Sequence, residues 1–258
     1  MERVRKQLMQ ESYSNETLSF SEHEIFSQLR ILPNTPFFVR LDGRRFQAVS
    51  EAVEAENPFD ERFAKAMTAS AEAVFQSGFN PALAYIASYD ISLLFLSSPF
   101  ERRIEKIDSV LSGIISSAFS LNLQKFFKKS LIVGFDSRIV IISVNEMTEY
   151  LDWRQRNAWR NHNNAYDYWF LRKIGHKPSD AAKMLKGLKA GELHEMLLRQ
   201  GVNLSQTPAW QRRGILAFRE PYQKQTKNQV VTRWRIKEDW DLPLFSSSQA
   251  VDMIKQIL

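Results

Sequence analysis

Two aspartates set the chemical question: Asp42, which precedes a glycine, and Asp90, in the run Ser88-Tyr-Asp-Ile-Ser92. Nucleotidyl and phosphoryl transfer use divalent cations, and those ions take hard oxygen ligands gathered from separate strands. Asp42 closes the apolar run that starts at Phe37, which puts a carboxylate at the end of a buried strand. Asp90 sits at the polar break between two later apolar runs, the natural place for a second carboxylate. Each signal is weak alone, because an Asp before Gly is more often a turn residue than a ligand.

The elements that must position these residues follow from the apolar periodicity. After Asp42-Gly43, a helix is expected over 61–77, where Phe63, Ala66, Met67, Ala71 and Val74 recur at helical spacing. Asp60 is placed to cap it and Gly78 to stop it. Strands are expected over 82–87 and 91–96, joined by a hairpin or a bulge at Ser88-Tyr89-Asp90. One or two helices follow over 101–127, then a strand over 139–143 entered through Gly134. The order β, α, β-β, α, β describes an α+β fold, a palm or ferredoxin-like antiparallel sheet with helices packed on one face. Residues 146–199 read as helical, with Trp153 and Trp169 expected in the core. Paired basic strands are expected over 212–218 and 230–236, before a short helix from Ser248. Two regions follow: a palm core with an N-terminal extension over 1–145, and a helical and β-hairpin region packed on it over 146–258. Residues 21–32 suggest a short helix.

Bulk properties leave this reading open and close others. No window approaches the roughly 18 apolar residues of a membrane span, and the polar start has no secretory apolar run. With no cysteine there is no disulfide framework and no thiolate zinc site, so the cytoplasm is the expected compartment. Thirty-five Lys and Arg against 29 acidic residues give a net charge of +6, which mildly favours a polyanionic partner.

Four motifs occur in order: Arg40-Leu-Asp-Gly-Arg-Arg-Phe46, Ser88-x-Asp-x-Ser92, Gly134-Phe-Asp-x-Arg138 and Tyr150-Leu-x-Trp-Arg-Gln155. With Arg160-Asn161, Asn164, Tyr168-Trp169, Arg212-Arg-Gly214 and Asp241-Leu-Pro-Leu-Phe245, the chain resembles the tRNA-His guanylyltransferase superfamily over about residues 30–250. The resemblance is to its archaeal and bacterial guanylyltransferase-like branch. It implies a polymerase-like palm, assembly as homodimers or homotetramers, and two Mg²⁺ ions. It also implies ATP or GTP as activating nucleotide, with GTP added to a tRNA 5′ end in the 3′-to-5′ direction. By the same resemblance Asp42, Gly43 and Asp90 are the candidate metal residues, Asp42 and Asp90 being catalytic. Ser88, Lys106 and Arg138 match triphosphate contacts, and Arg40 and Arg44 flank the aspartate. Asn161 is counted with the nucleotide-binding residues, although it and Asn164 also read simply as helix-surface amides.

The chain departs from the family where chemistry is least forgiving. The family has Ser-Asp-Glu where this sequence has Ser88-Tyr89-Asp90, so a neutral phenol with an ordinary pKa near 10 stands at the second metal aspartate. Asn57 replaces a lysine, Trp159 a histidine and Leu193 another lysine. Two expectations follow. In one, Asp90 moves into the vacancy with the help of a bulge and the chain is a working 3′-to-5′ nucleotidyltransferase. In the other, the palm keeps nucleotide or tRNA binding without two-metal chemistry and acts as an RNA-binding or regulatory protein, alone or in a hetero-assembly with an active relative.

Overall fold

The computed structural model describes residues 20, 23–186, 190–226 and 229–258, leaving aside the side chains of 190, 193 and 194. Six strands form one antiparallel sheet: β1 (Phe37–Gly43), β2 (Leu83–Ala87), β3 (Asp90–Phe95), β4 (Phe135–Ile141), β5 (Ile215–Gln225) and β6 (Val230–Asp239). Their spatial order is β4-β1-β3-β2-β5-β6. β5 pairs with β2, so the sheet runs without a break from the palm into the C-terminal half.

Strand alternation divides the sheet into two faces. Phe37, Val39 and Leu41 join Ile91, Leu93 and Phe95 on the lower face. That face is covered by α2 (Glu61–Gln76) and α3 (Ile104–Phe127). Ile107, Leu111, Ile115, Phe119 and Leu123 make a fully buried stripe along α3 at the spacing of one helix face. Full burial of each such side chain contributes roughly 1.5–3 kcal/mol. Asp60 caps α2 as expected, its carboxylate accepting from the Arg62 backbone N–H at 2.8 Å. These two palm helices share one face. The upper face is closed by the later helices α4 (Met147–Lys173) and α8 (Ser248–Ile257). Phe38 there stacks on Tyr150 with ring centroids 3.9 Å apart.

The remaining helices are α1 (Phe46–Ala52), α5 (Pro178–Leu185), α6 (Ala190–Arg199) and the five-residue α7 (Ala209–Arg213). Gly43 is required where β1 turns into α1, because a Cβ there would collide with the Phe46 ring.

Several expectations need correction. β4 begins at Phe135, not 139, because pairing with β1 extends to Gly43↔Phe135 and draws Asp136 and Arg138 into the sheet. Arg212 and Arg213 belong to α7, and β5 starts after Gly214. Among the described residues of 21–32 there is a turn over 25–28 and no regular helix. Trp153 is 43% exposed, since it lies off the buried stripe of α4, and the Arg154 guanidinium stacks 5.1 Å over its ring. Trp169 is only partly buried, edge-on to Tyr168. No helix among the described residues is long and apolar enough to cross a membrane.

A buried carboxylate on α4 is left unsatisfied among the described residues. Asp167 is fully buried and neither carboxylate oxygen has a hydrogen-bond partner among the described residues. Burial pushes its pKa up to about 6. A folded-state value above the unfolded one means that the folded protein loses stability as pH rises from about 4 to 6 and the carboxyl ionises. Asp167→Asn is therefore expected to stabilise the protein at pH 8 by up to about 3 kcal/mol, with the gain vanishing near pH 4. Paired thermal melts across this range measure it, and an equal difference at both ends would refute the account.

Candidate active site

The register brings three carboxylates into one row on the upper face. Asp42 on β1 lies opposite Asp90 on β3 and opposite Asp136 on β4. The next row inward on that face is Arg138, Arg40 and Ser92. Like charges directly across strands repel, and here interleaved arginines offset that repulsion. Arg40 Nε and Nη2 donate to Asp90 Oδ1 at 3.1 and 3.0 Å, while Arg40 Nη2 lies 3.6 Å from Asp42 Oδ2. Arg138 pairs with Asp136 at 2.6 Å. From above, α4 contributes Arg154, whose Nη2 donates to Asp90 Oδ2 at 2.8 Å. Tyr150, one turn earlier, shares a 3.1 Å hydrogen bond with Ser92.

The two aspartates thus differ in state. Asp90 has both oxygens held by arginines, one of them Arg154 with a side chain only 4% exposed. Asp42 is 39% exposed, and its pKa is raised above the usual carboxylate value by partial burial first and then by the Asp90 charge, with Arg40 opposing.

Tyr89 takes no part in this row. Ser88 and Tyr89 form the two-residue loop between Ala87 and Asp90, which are paired, so Asp90 already shares a face with Asp42 and no bulge is needed. Ser88 takes a left-handed backbone, φ 52°, which turns the hairpin tightly. The Tyr89 ring packs instead against Phe46 and Phe63, at 5.5 and 5.6 Å, and its hydroxyl meets Ser50. Burial pushes the phenol above its ordinary pKa.

Beside the hairpin lies a cavity of about 260 Å³. Its walls include Phe59, Tyr89 and Trp210, and its polar rim includes Ser88, Asn161 and Asn164. An aromatic-walled cavity with a few polar groups suits a flat heterocycle. Asp60 also lines it, but both its oxygens are engaged by Arg62 and the Glu56 N–H.

The expected site residues are therefore distributed. Asp42, Asp90, Arg40 and Arg138 meet in the row, with Gly43 at its end, where the Gly43 N–H donates to the Tyr89 carbonyl at 3.0 Å. Ser88 and Asn161 line the cavity. Arg44 and Lys106 are exposed and form no ion pair with the row. Trp159 lies away from the cavity, stacked on buried His162 at 5.3 Å, and the Leu193 side chain falls outside the described residues. Sequence reasoning passed over Asp136, Arg154, Phe59, Trp210 and His162. Asp136 and Arg154 stand within quoted motifs, so their signal was present; the aromatic residues carried none.

The donor set decides how a metal would fit. Mg²⁺ keeps several waters and takes one or two carboxylates plus substrate phosphates. Asp42, half exposed and crowded by like charges, fits one such ion together with the Gly43 carbonyl. A second ion does not fit as the residues stand, because Tyr89 is neutral and turned away and both Asp90 oxygens are occupied. No cluster of three Asp, Glu or His side chains forms a metal cage among the described residues.

An antiparallel sheet with a carboxylate row on one face and two helices behind the other defines a palm, the fold class of nucleotide polymerases. Family models agree: that of tRNAHis guanylyltransferase matches residues 18–143, and that of the Thg1 C terminal domain matches 145–252. The chain belongs to the tRNAHis guanylyltransferase family. It is 31% identical over 207 residues to the tRNA(His) guanylyltransferase of Schizosaccharomyces pombe, covering 78% of this chain and 79% of that protein. It is 30% identical to the probable tRNA(His) guanylyltransferase of Drosophila melanogaster, covering 74% and 69%. Among solved structures, the tRNA(His) guanylyltransferase of Saccharomyces cerevisiae superposes with TM-score 0.68 at 27% identity, over 77% of this chain and 91% of that one. A bacterial tRNA(His) guanylyltransferase-like protein in complex with ATP shares the fold at TM-score 0.72 and 22% identity, over 92% and 95%.

Proposed function

We propose that this chain adds nucleotides to tRNA 5′ ends in the 3′-to-5′ direction, either guanylylating tRNA-His or repairing truncated ends, with ATP and GTP as substrates. The observation that carries this reading is the placement of Asp42 and Asp90 opposite each other on one sheet face, beside an aromatic cavity. The cavity takes the nucleobase, with Ser88 and Asn161 at its rim. Arg40 and Arg138 neutralise the triphosphate, and Arg44 and Lys106 are exposed cations that the polyanion recruits on binding. Asp42 and the Gly43 carbonyl would hold a Mg²⁺ ion, whose chemistry there would be charge neutralisation on the phosphates. tRNA is the macromolecular partner, and the chain works as a homodimer or homotetramer, or beside an active relative. The test is incubation with Mg²⁺, ATP, labelled GTP and a 5′-truncated tRNA; label must enter RNA. Bound tRNA without incorporation would end the catalytic reading.

A second reading is favoured by the arginine clamp on Asp90 and by Tyr89: the palm binds nucleotide and tRNA but has lost the chemistry, and serves as an RNA-binding or regulatory partner. Tyr89→Asp separates the two. If a missing carboxylate limits the chain, the substitution raises incorporation by about 10²-fold or more, the scale of one electrostatic group at a transition state. If Asp90 already serves, the rate changes little.

A further inference from the structure

A second cleft, of about 550 Å³, lies against the opposite side of α4 from the nucleobase cavity. Asp152, Gln155, Arg156 and Trp159 line it at i, i+3, i+4 and i+7, a single stripe of the helix. Asn161, Asn164 and Ala165, which line the first cavity, fall on the far side of the same helix. The short helix α7 stands between the two: Trp210 faces the first cavity, while Arg212 and Arg213 face the second.

This cleft is built and cationic. Gln155, 3% exposed, donates to the carbonyls of Arg213 and Pro243 at 3.3 and 3.0 Å and accepts from the Phe245 N–H at 2.9 Å, which fixes three walls to one another. Arg212 and Arg213 bond backbone carbonyls of Thr207 and Leu242, and neither forms an ion pair with a carboxylate among the described residues. Arg156, Arg212 and Arg213 line the cleft with a single acidic residue, Asp152, which is paired with Arg156 at 3.1 Å. Trp159 is held in place by its near-parallel stack on His162, 11° between planes, and it is also a lining residue of the cleft. An ordered indole among excess arginines is the arrangement that binds single-stranded nucleic acid, a base on the ring and phosphate on the cations.

We propose that this cleft is a subsite for one unpaired RNA nucleotide, its base stacked on Trp159 and its phosphate held by the arginines. The inference rests on tRNA being the substrate and adds a contact outside the nucleotide cavity. The site is sequence-tolerant, because every base has a face to stack and the cleft offers few groups that read base edges.

Fluorescence anisotropy of a labelled, 5′-truncated tRNA tests the proposal, with ATP binding measured in parallel. Trp159→Ala is expected to weaken tRNA binding about tenfold, the loss of one base stack, while Trp159→Phe retains most of the affinity. Arg156→Ala is expected to lower the salt dependence by about one phosphate contact. ATP affinity stays unchanged in all three. Unaltered tRNA binding by Trp159→Ala overturns the subsite, and so does an equal loss in the Ala and Phe variants. Displacement of tRNA by poly-glutamate at matched charge also overturns it, since charge alone would then fill the cleft. If the wild-type chain binds no tRNA, subsite and functional reading fall together; if wild type incorporates label and Trp159→Ala binds normally, only the subsite falls.

Discussion

Asp90→Ala is expected to destabilise the protein by about 3–5 kcal/mol, the usual result of removing one partner from a buried ion pair. Asp90 joins Arg40 on β1 to Arg154 on α4, and the Arg154 side chain is only 4% exposed. Its Nε already lacks a hydrogen-bond partner among the described residues, so removing the carboxylate leaves a guanidinium buried with little to satisfy it. For a chain of this size the loss corresponds to a fall in Tm of roughly 10 °C or more. Replacing Arg154 by Met in the same variant is expected to recover much of the loss, because the stranded charge is then gone as well. Denaturant and thermal unfolding of the single and double variants measure both effects. A single variant as stable as wild type would mean that Arg154 finds water or another acceptor, and the clamp would lose its structural role.

Asp42→Asn is expected to show the opposite pattern. Asp42 is 39% exposed and only 3.6 Å from one guanidinium nitrogen, so few contacts depend on it. Its pKa is raised by burial and by Asp90, so ionised Asp42 costs the folded state some stability above the ordinary carboxylate range. Asparagine removes that cost. The variant should melt at or slightly above the wild-type temperature at pH 7, with the advantage lost in acid. Nucleotide incorporation, by contrast, is expected to fall by about 10²- to 10³-fold. Mn²⁺ binding in the presence of ATP, followed by electron paramagnetic resonance, gives a second readout that does not depend on turnover. Intact incorporation together with intact Mn²⁺ binding would remove Asp42 from the site. Together the two substitutions test whether chemistry rests on Asp42 and architecture chiefly on Asp90, a division between carboxylates that the sequence presents as equals.

Much of the frame is legible in the chain itself. The apolar run from Phe37 ending in Asp42-Gly43 specifies a strand that delivers a carboxylate to its end, because the pleat period is set by covalent geometry. Asp60 followed by the apolar stripe of Phe63, Met67 and Val74 specifies a capped helix for the same local reason. The order of the motifs from Arg40 to Phe245 carries the family resemblance in the sequence itself. Boundaries were less legible: Asp136 and Arg138 read as a loop leading into a strand, because their strand character comes from the β1 partner and not from their own side chains.

Tertiary structure alone decided the state of the site. Asp90 is silenced or steadied by Arg154, 64 residues away, a contact that exists only because α4 lies across the upper face. Tyr89 turns from the carboxylates because the two-residue hairpin sends it toward Phe46 and Phe63, an aromatic cluster assembled from α1 and α2. Trp153 reads as core and is exposed; Trp159 reads as a lost histidine and becomes the ordered wall of a cleft. Residue type and spacing carry the information that local geometry can express. Which oxygen meets which guanidinium depends on distances between elements remote in sequence, and those are set only when the sheet and its covering helices pack.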